Sequence, residues 1–273
     1  MNSTFFKIFL LSKNSEILSI LVTNVSPLNL ILAIISGSFA GILINYLSDN
    51  LPLTRRLSRP VCPECSQPYS IKEYLLLRKC SICSHKRSAR SIIILIGTIL
   101  CSVLLQFFPF AGLSFWATLP ILIFLGVILV VDIEHRLVLF ETSLFGLVLF
   151  TIYGIIFRGF LGTLFGALGG LLIMLLFYIS GILFSKIVGK LRHREISEVA
   201  FGFGDVMAGT FLGLLAGWPA IVGVIIFAIL AFGAFSLVLI ISLLLSKHYK
   251  AFAKALPFTP FLILGVIIIF YLQ

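Results

Sequence analysis

Charge is what this chain has least of. Its 273 residues are 11% charged, where soluble chains carry roughly 25%, and its mean hydropathy is +1.19. That scarcity excludes an ordinary soluble domain. Acid is scarcer than base, with ten acidic residues against twenty basic ones and a net charge of +10. No glycine loop of the phosphate-cradling kind is present. Ser36, Ser38 and Ser180 sit in apolar runs with no histidine at nucleophile–base spacing, so a serine nucleophile has no support. The first residues, through Phe5, Phe6, Lys7 and Phe9 to Leu11, lack a basic leader and a small-residue cleavage site. They read as an interfacial lead-in that is retained.

What the chain has in place of charge is apolar length. Hydrophobic residues make up 60% of it, and runs of about 17–25 such residues read as membrane helices. Eight candidates follow, at about 28–48, 91–109, 115–131, 138–157, 160–185, 204–217, 219–246 and 256–272. The expected fold is an all-α polytopic membrane protein of about eight transmembrane helices with a small zinc-ribbon-like loop. Three segments organise it: a lead-in and first helix over 1–48, a basic loop over 49–90, and a seven-helix domain over 91–273. Gly162, Gly166 and Gly170, and Gly209, Gly213 and Gly217, recur every fourth residue and predict helix-packing seams.

The bases fall into few loops. Arg55, Arg56, Arg59, Lys72, Arg78, Lys79, Lys86, Arg87 and Arg90 lie between the first two runs. Lys186, Lys190, Arg192 and Arg194 follow the fifth run, and Lys247, Lys250 and Lys254 the seventh. The alternate loops hold Arg158 alone. Eight spans place every basic loop on one side, which the positive-inside rule makes cytoplasmic, with both termini outside. Topology thus accounts for the charge, and no nucleic-acid partner is expected.

Four of the five cysteines form Cys62-Pro63-Glu64-Cys65 and, fourteen residues on, Cys80-Ser81-Ile82-Cys83. Each C-x2-C turn presents two thiolates to one ion, and two turns complete a tetrahedron with no open position, so Cys62, Cys65, Cys80 and Cys83 predict a structural zinc. A reducing cytoplasmic side argues against disulfides. Cys101 reads as apolar filling, and His85 as a neighbour that the four sulfurs make unnecessary. A loop so small and basic has little to make a core from, so the metal would fold it.

Asp132 and Asp205 sit at the mouths of apolar runs, where a carboxylate costs several kcal/mol and is a functional-site hypothesis by default. Both fall on the cytoplasmic side of the eight-span topology. Two carboxylates sharing a proton can hydrolyse a peptide: one takes a proton from water while the other binds the carbonyl oxygen. Asp205 begins a helix and Asp132 ends one, so the helix dipoles make Asp205 the charged partner, with Arg136 opposing. The plain alternatives are a helix N-cap at Asp205 and a solvated loop edge at Asp132, Glu134, His135 and Arg136. His135, His193 and His248 read as solvated.

The ordered motifs resemble those of type IV prepilin peptidases. They are Gly37-Ser38-Phe39 with Asn45 and Leu51-Pro52, the two C-x2-C pairs, Asp132-Ile133-Glu134-His135-Arg136, Gly202-Phe203-Gly204-Asp205, and Leu256-Pro257-Phe258-Thr259-Pro260-Phe261-Leu262. The resemblance implies an inner-membrane aspartic endopeptidase with Asp132 and Asp205 catalytic. Its substrates would be type IV prepilins or type II secretion pseudopilins, with a basic leader ahead of a hydrophobic helix, cut among membrane lipids at the cytoplasmic face. Glu134, Glu141, Glu195 and Glu198 are candidates to steer that leader. Many relatives with the cysteine loop also N-methylate the new terminus with S-adenosylmethionine, an activity that would map near Gly37, Asn45 and the loop without an assignable residue. This chain departs from the pattern at Met207, where lysine is frequent, at Leu139 and Phe140, where a proline is usual, and at Thr259, where glycine is commoner. The competing readings are a catalytically idle zinc-bearing scaffold for pilus or secretion-system assembly, and a proton-coupled transporter, which leaves the cysteine loop without a role.

Overall fold

The computed structural model describes residues 26–62, 64–75, 78–85, 88–110, 113–192, 202–245 and 256–272. The lead-in at 1–25 lies outside them, as do Arg194, Glu195, Glu198, Lys247, Lys250 and Lys254. The described residues are helical apart from loops and one isolated bridge between Val61 and Pro68. The helices are α1 (Pro27–Thr54), α2 (Ile71–Leu75), α3 (Ala89–Phe107), α4 (Phe115–His135), α5 (Phe140–Arg192), α6 (Phe203–Ala216), α7 (Ala220–Leu245) and α8 (Thr259–Leu272).

Five of these, α1, α3, α4, α5 and α7, are long and apolar enough to cross a membrane. As one straight rod the 53 residues of α5 would reach about 80 Å, well over twice a hydrocarbon core of about 30 Å. They do not form one rod. Gly159 takes φ 72 and ψ 169 and breaks the helix between the expected fourth and fifth spans. Helices α6 and α8 are apolar but 14 residues each. A count of eight spans therefore depends on splitting α5 and on two short helices.

The chain divides into two compact units. One joins the residues up to Asn50 with Arg56–Ile123, the other Leu51–Arg55 with Phe124 onward. In the first unit α1 and α3 pack at backbone distance, since a Cβ on Gly37 would lie 2.9 Å from the Ile99 Cα. Polar bonds fix the register: the Ser102 hydroxyl donates to the Ala33 carbonyl at 2.8 Å, and the Asn45 side chain to the Ser91 carbonyl at 3.0 Å. Asn45 is thereby placed in helix packing.

The second unit is organised around α6. Its buried face carries Val206, Ala208, Phe211, Leu212 and Leu215. Phe211 meets Phe124 of α4 edge-on, with centroids 5.5 Å apart, and Phe150 of α5 at 5.9 Å. The predicted glycine seam joins α5 to α6: a Cβ on Gly166 would strike the Gly213 carbonyl, and one on Gly170 the Gly209 carbonyl. Gly162 departs from that expectation, because a Cβ there would meet nothing nearer than Arg158 of the same helix. The seam is what holds the start of α6, and with it Asp205, in a fixed place.

Candidate active site and metal centre

Asp132 lies in the last turn of α4, Asp205 in the first turn of α6, and Thr259 opens α8. Asp132 is 5% exposed and Thr259 is fully buried. The Thr259 hydroxyl donates to Asp205 Oδ1 at 3.1 Å. The two carboxyls are close enough to act on each other's charge. Three helix mouths, drawn from segments far apart in the chain, thus meet around the Asp132–Asp205 pair.

The two aspartates are held differently. Asp205 is the third residue of α6, whose cap is Gly202, so it is not itself the N-cap. Its Oδ2 accepts from the Gly202 N–H at 3.1 Å while its own N–H returns to the Gly202 carbonyl at 3.1 Å. The N-cap reading therefore accounts for one oxygen of Asp205 and leaves the other, which faces Thr259. The Gly202 N–H and the Thr259 hydroxyl thus each face one oxygen of Asp205, and donors of this kind favour the anion. Asp132 sits at a helix C-terminus, where negative charge is disfavoured. Its Oδ2 is buried and has no hydrogen-bond partner.

Gly204 makes the approach possible. A Cβ on it would lie 2.9 Å from Val138 Cβ, inside any real contact distance. Val138 belongs to the short turn between α4 and α5, which begins at Arg136 in the left-handed region (φ 53). Glycine at this position lets the chain after Asp132 lie against the chain before Asp205.

The cysteine loop in the other unit is built from two copies of one turn. Cys62 N–H donates to the Gln67 carbonyl at 2.8 Å and Ser66 N–H to the Cys62 carbonyl at 2.9 Å. Cys80, His85 and Ser84 repeat the pattern at 3.0 and 3.0 Å. In both turns the serine after the second cysteine is left-handed, at φ 55 and 56. The four Sγ atoms lie within 4.8 Å of one another, with Cys62–Cys83 at 3.5 Å and Cys65–Cys80 at 3.7 Å. Those spacings are far too long for S–S bonds, and bonds of about 2.3 Å to a tetrahedral zinc would put sulfurs about 3.8 Å apart.

The thiols are tuned for a cation. Burial pushes Cys62 up, but N–H groups of Cys65 and Glu64 and the Tyr69 hydroxyl outweigh it and bring it down to about 6. Against the His85 N–H, burial and the neighbouring sulfurs push Cys83 up to about 12. Four clustered sulfurs, with Cys62 and Cys80 held down and Cys65 and Cys83 pushed up, suit a divalent ion that neutralises them together. His85 stands outside the cluster, facing Glu64 at 3.7 Å.

Residues 119–238 match the type IV leader peptidase family. Over 215 residues the chain is 29% identical to the prepilin leader peptidase/N-methyltransferase of Pectobacterium carotovorum subsp. carotovorum, an alignment covering 75% of this chain and 71% of that protein. No solved structure matches the chain. Asp132 and Asp205 both lie inside the family match, whereas the four cysteines and Thr259 lie outside it.

Outside the family match, the structure gives roles to residues that the sequence alone leaves unassigned. Asp49, the third aspartate, is helical and binds Arg90 Nη2 at 2.8 Å and the Tyr74 hydroxyl at 2.5 Å. Tyr74 stacks edge-on with Tyr46 and Tyr69, at 6.4 and 6.1 Å. These rings, with Cys62 and Cys80, make a small core. The loop therefore has a core of its own beside the cysteine cluster. An acid at a helix end, a tyrosine on the next helix and an arginine at the start of the third were the available signals for this anchor.

A cavity of about 260 Å3 lies among Phe39, Tyr46, Arg59, Tyr69, Tyr74 and Leu75. Its one charged wall is a guanidinium and it has no acid, which suits neither the sulfonium nor the ammonium of S-adenosylmethionine. No methyl-transfer step is derived from it.

Proposed function

We propose that this chain is a membrane aspartic endopeptidase that removes the basic leader from type IV prepilins or pseudopilins at the cytoplasmic face of the bacterial inner membrane. The observation that carries the reading is the approach of Asp132 and Asp205, both inside the family match, at neighbouring helix mouths. The positive-inside count supports the cytoplasmic face. A site at helix mouths can reach a bond next to a substrate's membrane helix without drawing irregular backbone into lipid.

In the reaction, Asp205 is the ionised partner and takes a proton from the attacking water. Asp132, carrying the shared proton, hydrogen-bonds the scissile carbonyl through the otherwise unpartnered Oδ2. Water oxygen bonds to the carbonyl carbon, the C–N bond breaks, and the leaving amine receives a proton from the pair. The four thiolates would hold a zinc that shapes the loop and takes no part in this step. The eight-span topology, and the division into 1–48, 49–90 and 91–273, belong to the same reading.

Mass spectrometry of the N-terminus of a co-expressed prepilin tests it. Wild-type chain is expected to yield the shortened pilin, and Asp132→Asn or Asp205→Asn to leave it full-length. Unchanged processing in both variants would favour the idle scaffold. The relative's name also includes N-methyltransferase, and a methyl group on the new terminus would appear in the same spectrum.

A further inference from the structure

We propose that Thr259 is a positioning residue: its hydroxyl, together with the Gly202 N–H, clamps the Asp205 carboxylate by both oxygens and presents it to water in one fixed orientation. This deepens the peptidase reading and rests on it for its consequence in catalysis.

The terminal torsion of an aspartate is broad, so a carboxylate held by one oxygen still turns about its Cβ–Cγ bond. At Asp205 each oxygen has its own donor. Oδ2 accepts from the Gly202 N–H at 3.1 Å, and Oδ1 from the Thr259 hydroxyl at 3.1 Å. The first donor is three residues away in the same helix start, whereas the second comes from α8, 54 residues on. The local bond ties the side chain to its own turn, and the distant one fixes the plane of the carboxylate. Each oxygen keeps a further lone pair for water, and Asp205 is only partly buried.

The donor is itself held. A threonine hydroxyl commonly bonds to its own backbone, but this one leaves α8 for Asp205. Thr259 is fully buried and is the first residue of α8. On one side of it Phe258 meets Phe232 of α7 edge-on, with centroids 5.5 Å apart, and on the other Phe261 meets the same ring at 5.3 Å. Further along, a Cβ on Gly265 would lie 2.7 Å from the Val224 carbonyl oxygen, so α8 lies against α7 at backbone distance. The start of α8 is thereby fixed on both sides of the threonine. Its side chain has no solvent to turn toward, and a second rotamer would leave the Asp205 oxygen without its donor.

The test compares Thr259→Val, which keeps the shape and removes the donor, with Thr259→Ser, which keeps the donor. Two readouts are taken on the full chain in membranes. The first is the antisymmetric carboxylate stretch of Asp205 in the infrared, assigned by its disappearance in Asp205→Asn. It is expected at higher wavenumber in the valine variant, which loses a donor, and unmoved in the serine variant. The second is prepilin cleavage, where valine is expected to lower kcat by about 10- to 100-fold at unchanged KM, the range for a reacting group displaced by about 1 Å, with serine close to wild type. A threonine that only filled space would give the reverse order, since valine fills that space and serine does not. An unmoved band or an unchanged kcat in the valine variant would overturn the clamp. So would a serine variant that behaves like valine, or a valine variant whose defect lies in KM alone. If the band shifts as expected but wild-type chain cuts no prepilin, the clamp stands and the peptidase reading falls.

Discussion

The cysteine cluster and the carboxylate pair both require distant groups to be brought to one point, and the chain solves the two problems in opposite ways. The cysteines come from two short turns with the same hydrogen bonds, so each half of the centre is complete within six residues. The aspartates come from three helix mouths, at Asp132, Asp205 and Thr259, and no local segment contains the site. A local site depends on its own turns and its metal. A site assembled by tertiary packing depends on every seam that holds the helices, above all Gly204 against Val138 and the α5–α6 glycines.

The largest expected effect sets the two regions against each other. Asp205→Asn and Asp132→Asn should each lower prepilin cleavage by about 10²- to 10⁴-fold, the usual worth of a positioned acid or base. Removing the metal by chelation, or replacing Cys80 by serine, should leave cleavage within about 10-fold while exposing the 56–88 loop to protease. Limited proteolysis run beside the cleavage assay measures both. Loss of cleavage on chelation as deep as that of the Asn variants would break the distinction and make the loop part of the active site.

Next in size is the seam itself. Gly204→Ala introduces a Cβ 2.9 Å from Val138, an overpacking expected to cost about 1–3 kcal/mol and to push the two aspartates apart. Val138→Ala should restore part of the loss. A double-mutant cycle on cleavage and on thermal stability reads the coupling. Purely additive effects would show that Gly204 is needed for some other reason.

These two sites also differ in how far the sequence revealed them. The spacing C-x2-C twice over named all four sulfurs, because ligand geometry is written into adjacent residues. The dyad's residues could be named from their cost at helix mouths. Their tether could not, because it depends on where α8 starts relative to α6. Thr259 was visible as a departure from the family pattern, and nothing in the chain placed its hydroxyl on Asp205. Asp49 falls at the start of the segment 49–90 expected to be loop, whereas α1 runs on to Thr54 and makes it helical. Gly159 shows the reverse: periodicity separated two apolar runs at 157 and 160, and the structure supplies the break between them.

A smaller effect follows from the Asp49 anchor. Its side chain is 20% exposed and its partner Arg90 27%, so solvent screens the pair in part. Asp49→Asn should weaken the loop by about 1–3 kcal/mol, through the lost charge-assisted bonds to Arg90 and Tyr74. A chelator competition would detect this as earlier metal release. Because the anchor belongs to the metal-bearing unit, cleavage should change little.

The smallest effect probes the repeated turn. Ser66 and Ser84 adopt φ 55 and 56, a left-handed conformation that costs a non-glycine residue of order 1 kcal/mol. Glycine removes that strain but loses more entropy on folding. Ser66→Gly and Ser84→Gly should therefore each stabilise the loop by a few tenths to about 1 kcal/mol. The comparison lies in their equality: two turns with the same bonds and the same φ should gain alike, and the double variant should gain the sum. Chelator midpoints for the three variants measure this directly. A gain at one turn and a loss at the other would show that the two halves, alike in backbone, are loaded differently by the tyrosine core that Cys62 and Cys80 share.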